Sequence, residues 1–185
     1  MKELITQIRD LLQRSRYELQ QTVNTAMVKT YWGVGKLIVE DEQHGARRAI
    51  YGAQQLQLLS QELQIEFGKG FDTTNLRNMR KFYLQFPIQE TVSPKLSWSH
   101  YCKLIRIENE KARQWYLNEA IEQNWSVRAL DRQISKLYYE RLLSSREPQP
   151  VIQEADNQTK KVKLDVKDYL RDPYILDFLN FKFAL

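Results

Sequence analysis

The stretch Leu56–Phe86, LQLLSQELQIEFGKGFDTTNLRNMRKFYLQF, holds two helical patterns separated by a break. Leu56, Leu59, Leu63 and Phe67 recur at helical spacing, and Gly68-Lys69-Gly70 then ends the pattern and frees the backbone to turn. Asp72 is placed to cap the second helix. Beyond it, Leu76, Met79, Tyr83 and Phe86 form one stripe of a helix spanning Thr73 to Phe86. Thr74, Arg77, Asn78 and Lys81 project from the other side, because residues three and four apart share a face. Two amphipathic helices joined by a tight turn, the second apolar on one side and cationic on the other, have the layout of a helix-turn-helix nucleic-acid reader.

An ordinary surface helix also carries arginine and lysine on its outer face. The charge distribution favours the nucleic-acid reading. From Lys69 to Arg106 the cations are Lys69, Arg77, Arg80, Lys81, Lys95, Lys103 and Arg106, against only Asp72 and Glu90, a surplus equal to the net charge of the whole chain, +5. A concentrated positive field suits a phosphate backbone, since each neutralised phosphate releases condensed counterions. Arg77 and Lys81 are therefore candidates for phosphates or a guanine edge, Asn78 for adenine, Thr74 for backbone or base, and Lys69 and Arg80 for further phosphates. If five cations engage, the log–log salt slope should be about −4 to −5, at roughly −0.9 per phosphate. Phe71, Phe82 and Tyr83 lie on or beside the apolar stripe and are assigned to packing.

Upstream, one long helix is expected from Lys2 to about Glu42, with Ile8, Leu11, Leu12, Leu19, Val23, Met27, Thr30, Tyr31, Val34, Leu37 and Ile38 near one face. Gly33 and Gly35 sit inside that helical pattern. A GxG pair with no third glycine and no preceding strand is better explained by close helix packing than by a dinucleotide loop. The chain should turn at His44-Gly45, and a second helix should run from about Ala46 to Phe67.

Downstream, Pro87 and Pro94 bracket a loop, and helix resumes near Ser97. Asn109–Asn124 is helical with Ala112, Tyr116, Leu117, Ala120 and Ile121 inward. After a break at Asn124-Trp125-Ser126, Ser126 caps a last long helix reaching about Leu143 with a core stripe of Leu130, Ile134, Leu137 and Tyr138. Arg128, Arg132 and Lys136 recur on another face as a second, weaker cationic surface. Asp131 and Glu140 nearby make a solvated face the simpler account of it.

Composition bounds the class. With 42% hydrophobic and 28% charged residues in 185, the chain supports one cored domain plus a tail, and its helical patterns make that domain all-α, with a long N-terminal helix and a helix-turn-helix-like core. No apolar run approaches the roughly 18 residues of a membrane span, and the N-terminus lacks the apolar core of a secretory signal, so a cytoplasmic location is expected. Cys102, the single cysteine, reads as buried and inert; His44 and His100 lack companions at ligand spacing, so neither metal nor cofactor is expected.

Beyond Arg146 the composition turns polar and proline-bearing, giving a division into a helical domain (1–146), a polar linker (147–167) and the start of a further domain (168–185). In that last piece Tyr174, Leu176, Phe178, Leu179 and Phe181 have no downstream partners.

The segments MVKTYWGVGKLIVEDEQ, YGAQQLQLLSQELQIEFGKGF, NLRNMRKFYLQFP, LSWSHYCKLIRIENEKARQWYLNEA and NWSVRALDRQISKLYYERLLSS closely resemble the N-terminal domain of the YhcG-type nuclease family. They cover most of residues 20–145, and LRDPYILDFL resembles the junction with that family's C-terminal nuclease domain of the PD-(D/E)XK type. The resemblance implies a helical, winged-helix-like DNA-binding module whose catalytic acids and lysine lie beyond the junction. The sequence ends at Leu185, before such residues, which points to a truncated reading frame or a shortened chain.

Asp165-Val166-Lys167 matches half of the nuclease motif but sits in a polar stretch without a strand pattern. The chain is thus expected to bind duplex DNA without catalysing its cleavage, alone, as a homo-oligomer or with a nuclease partner. The alternative is a protein–protein assembly module built on the long first helix and on Trp32, Trp98, Trp115 and Trp125.

Overall fold

The computed structural model describes residues 1–44, 50–87, 93–160 and 173–178. Helix α1 (Lys2–His44) is 43 residues long, about 65 Å at the α-helical rise. From Asn24 onward it buries Met27, Val28, Tyr31, Trp32, Gly35, Ile38 and Val39, whose three- and four-residue spacing makes one continuous inner face. Its first 19 residues are exposed, so Ile8, Leu11, Leu12 and Leu19, expected on the core side with the others, do not join the core. The turn expected at His44-Gly45 runs into residues outside those described.

Helix α2 (Ile50–Phe67), a 3-10 turn (Lys69–Phe71) and helix α3 (Thr73–Gln85) reproduce the break read at Gly68-Lys69-Gly70. Gly68 has φ of 93°, a conformation that only glycine adopts without strain. Asp72 caps α3 as expected, its carboxylate accepting the Asn75 N–H at 2.7 Å. Ser60 on α2 donates to the Phe71 carbonyl at 3.0 Å and ties the turn to the first helix. Leu76, Met79, Phe82 and Phe86 are buried, and Tyr83 packs beside them, its ring edge-on to Trp32.

Helices α4 (Trp98–Leu104), α5 (Glu110–Glu122), α6 (Val127–Ser135) and α7 (Tyr138–Ser144) build the other half of the core. Asn109 and Ser126 cap α5 and α6 by accepting from Ala112 and Ala129 N–H. At the end of α5, Asn124 turns left-handed (φ 49°) and the Trp125 N–H closes on the Ala120 carbonyl at 3.0 Å, which stops the helix where the sequence placed the break.

The expected long last helix is interrupted. Leu137 is left-handed (φ 53°) and 57% exposed rather than in the core stripe, and its N–H bonds to Ile134 instead of Gln133. The reason is tertiary: the Tyr116 hydroxyl enters the helical ladder, donating to the Gln133 carbonyl at 3.3 Å and accepting the Tyr139 N–H at 3.1 Å. Burial pushes the Tyr116 phenol up to about 12, with Glu140 adding to the shift, so the hydroxyl stays protonated. Tyr116→Phe leaves both backbone groups without that partner and is expected to cost about 1–3 kcal/mol in urea unfolding. A loss below 0.5 kcal/mol (roughly the limit for a neutral surface change) would show that water replaces the hydroxyl.

One expectation for the C-terminal region is corrected. Residues expected as linker form helix α8 (Pro148–Lys160), which packs on α6 and α7: Ala155 is buried, Gln133 donates to its carbonyl at 3.2 Å, and Glu154 pairs with Lys136 and Arg141. Local burial and pairing override a polar composition there. Helix α9 (Pro173–Phe178), in the piece read as having nothing downstream to pack on, lies against upstream elements, α1 and the 3-10 turn, with Ile175 buried and the Phe178 ring edge-on to Tyr31 at 5.9 Å. Asp165-Val166-Lys167 lies outside the described residues. No strand occurs among the described residues, so the fold there is all-α without a wing, and none of their helices is long and apolar enough to cross a membrane.

Candidate nucleic-acid interface

Three contacts fix α3 against α1. Gly35 lets the helices touch backbone to backbone, for a Cβ there would lie 2.1 Å from the Met79 carbonyl oxygen. The Arg80 Nε sits 2.9 and 2.7 Å from the two carboxylate oxygens of Glu42. The Trp32 indole N–H donates to the Phe86 carbonyl at 2.6 Å. With Met79 facing inward, Arg77 and Lys81 stand about 200° away around the helix, and Thr74 lies in the same outer row.

The cations read from the sequence therefore divide. Lys69, Thr74 and Arg77 are exposed and Lys81 is half-buried, with no ion pair to any of them among the described residues. Arg80 is held by Glu42, and Lys103 is held by Asp131 at 2.8 Å. Asn78 is half-buried with its amide 3.9 Å from the sulfur of buried Cys102, so it leans toward α4. Asp72, one of two acids in the cationic window, spends its carboxylate on the helix cap. On the second face Arg128 and Arg132 are exposed, whereas Lys136 meets Glu154 at 3.4 Å.

Asn75 carries weight that sequence reading missed. Buried at the start of α3, it donates to the Gly70 carbonyl at 2.5 Å and accepts the Trp98 indole N–H at 2.8 Å. It thereby locks the turn, α3 and α4 into one unit. Its signal in sequence was only a polar residue beside Leu76, one position from the apolar stripe.

The four tryptophans are core residues: Trp32, Trp98 and Trp125 are buried and Trp115 packs against Tyr116, Tyr138 and Tyr139. The acids Glu40-Asp41-Glu42 serve structure, through Lys36, Gln55 and Arg80 in turn. Among the described residues no three His, Cys, Asp or Glu side chains gather as a metal site.

Comparison with known proteins places this geometry in context. The family model of the DUF1016 N-terminal domain matches residues 7–141. The "Putative nuclease YhcG" of Escherichia coli (strain K12) is 34% identical over 204 residues, a match covering 93% of this chain and 54% of that protein. The chain spans about half the length of the curated relative it matches. No solved structure matches it.

Proposed function

This chain belongs to the DUF1016 N-terminal domain family, the N-terminal part of YhcG-type proteins, and from that premise we propose that it is the DNA-binding and targeting module of a nuclease, without catalytic residues of its own. The observation that carries the reading is the outer row of α3. Thr74, Arg77 and Lys81 lie on the side away from α1, with Lys69 on the adjoining turn, while three contacts hold the opposite side. A rigidly seated helix with a cationic outer row presents side chains to a groove without further ordering cost. Arg77 and Lys81 meet phosphates or a guanine edge, Thr74 the backbone, and Lys69 a flanking phosphate. Arg80 sets the tilt of α3 through Glu42 rather than meeting the ligand.

Anisotropy titration of labelled duplex DNA across a salt series tests this. Three engaged cations give a log–log slope of about −3, and Arg77→Glu/Lys81→Glu flattens it by about two while the variant keeps its helical signal. Absence of binding by the wild type at low salt would sink the reading and favour a protein–protein module.

A further inference from the structure

Helix α1 carries a second apolar face that no other element among the described residues covers. Leu4, Ile5, Ile8, Leu11, Leu12 and Leu19 are each 48–67% exposed. At about 100° per residue this stripe points roughly 150° away from the inner face defined by Asn24, Val28, Tyr31, Gly35 and Ile38, so it does not extend the core. It also runs along a stretch about 27 Å long that stands clear of the body. A helical overhang of this length is marginal alone in water, and a contiguous aliphatic patch of this kind marks an interaction surface.

We propose that this face is the seam of a homodimer in which the first halves of two α1 helices pair antiparallel about Ile8. The stripe is its own complement: its central positions 4, 5, 8, 11 and 12 are symmetric about 8. A two-fold there sets Leu4 of one copy against Leu12 of the other, Ile5 against Leu11, and Ile8 against Ile8, which is the self-complementarity a closed dimer requires. Two such stripes with their flanks present an area of the order of the ~800 Å² per partner of a standard interface. In that register residues 1–15 of the two copies overlap, and each body begins outside the overlap, near Gln20.

Sedimentation of the full chain over a concentration series should show a dimer. Ile8→Asp, which sets two carboxylates on the axis, should weaken self-association by at least about 100-fold without changing the unfolding of the body, because a buried unpaired charge is costly. A mixture of Leu4→Cys and Leu12→Cys chains should crosslink on oxidation, whereas Leu4→Cys alone should not. A wild type that stays monomeric throughout, or a dimer indifferent to Ile8→Asp, overturns the proposal. Crosslinking of Leu4→Cys with itself overturns the antiparallel pairing.

Discussion

Replacing Gly35 by alanine is expected to cost at least about 3 kcal/mol, while the same change two residues earlier, Gly33→Ala, should stabilise by about 0.5–1 kcal/mol. The contrast is geometric. A Cβ at Gly35 would lie 2.1 and 2.7 Å from the carbonyl oxygen and carbon of Met79 and 3.1 Å from the Tyr83 Cβ, whereas a Cβ at Gly33 meets nothing within 4 Å. The atoms in the way at Gly35 belong to the backbone of α3, so no rotamer change relieves the overlap and the two helices must part. That parting strains the Arg80–Glu42 and Trp32–Phe86 contacts together, since both span the same crossing. Gly33 lies in the same α-helix with open space around it, and alanine there reduces only the entropy of the unfolded chain. Thermal unfolding reads both effects: a fall of about 6–12 °C for Gly35→Ala, at roughly 2–4 °C per kcal/mol for a chain of this size, and a small rise for Gly33→Ala. Gly35→Ala should also weaken the proposed DNA binding, because it unseats the helix that carries Arg77 and Lys81. A Gly35→Ala protein as stable as the wild type would refute the close α1–α3 crossing.

The two glycines show where sequence reading ends. Helical periodicity across Thr30–Ile38 established that they lie inside a helix and argued for close packing, yet only Gly35 is in a crossing. Local signals carried far elsewhere: the break after Phe67, the Asp72 and Ser126 caps, the break at Asn124-Trp125-Ser126 and the buried stripe of α3 all depend on neighbours within about one turn. What sequence did not disclose depends on distant partners. Arg77 and Arg80 are chemically alike, and Glu42, 38 residues before Arg80, makes one structural and leaves the other exposed. Leu137 fits an unbroken apolar stripe until a hydroxyl 21 residues upstream enters the ladder. Apolar spacing along α1 likewise marks amphipathic character without saying which apolar face the body occupies, and the structure gives the body only the later one.

Acidification is expected to destabilise the protein through His100. Its imidazole is buried between α4 and the α5–α6 junction, with Nε2 3.0 Å from the Trp125 carbonyl and Nδ1 3.2 Å from the Ser97 backbone nitrogen. A carbonyl only accepts and a backbone N–H only donates, so Nε2 carries the proton and Nδ1 is bare. Protonating Nδ1 would set it against the Ser97 N–H at the N-cap of α4, with only the Ser97 hydroxyl, 2.8 Å away, able to turn and accept from it, and would place a charge in the core. Burial accordingly lowers the His100 pKa from 6.5 to about 4, the Trp125 carbonyl opposing only part of the shift. The folded protein therefore binds fewer protons than the unfolded chain, so this stability is whole above pH 6.5 and is lost as pH falls toward 4. At about 1.4 kcal/mol per unit the loss between pH 7 and pH 5 is roughly 2 kcal/mol. The variant His100→Gln isolates it, because a glutamine amide accepts from Ser97 and donates toward Trp125 without titrating. It should be less stable than the wild type at pH 7 by about 1–2 kcal/mol, having lost some packing, and the gap should close as the pH drops to 5. Parallel stability–pH curves for the two proteins would mean that His100 is protonated without cost, against its burial in the core.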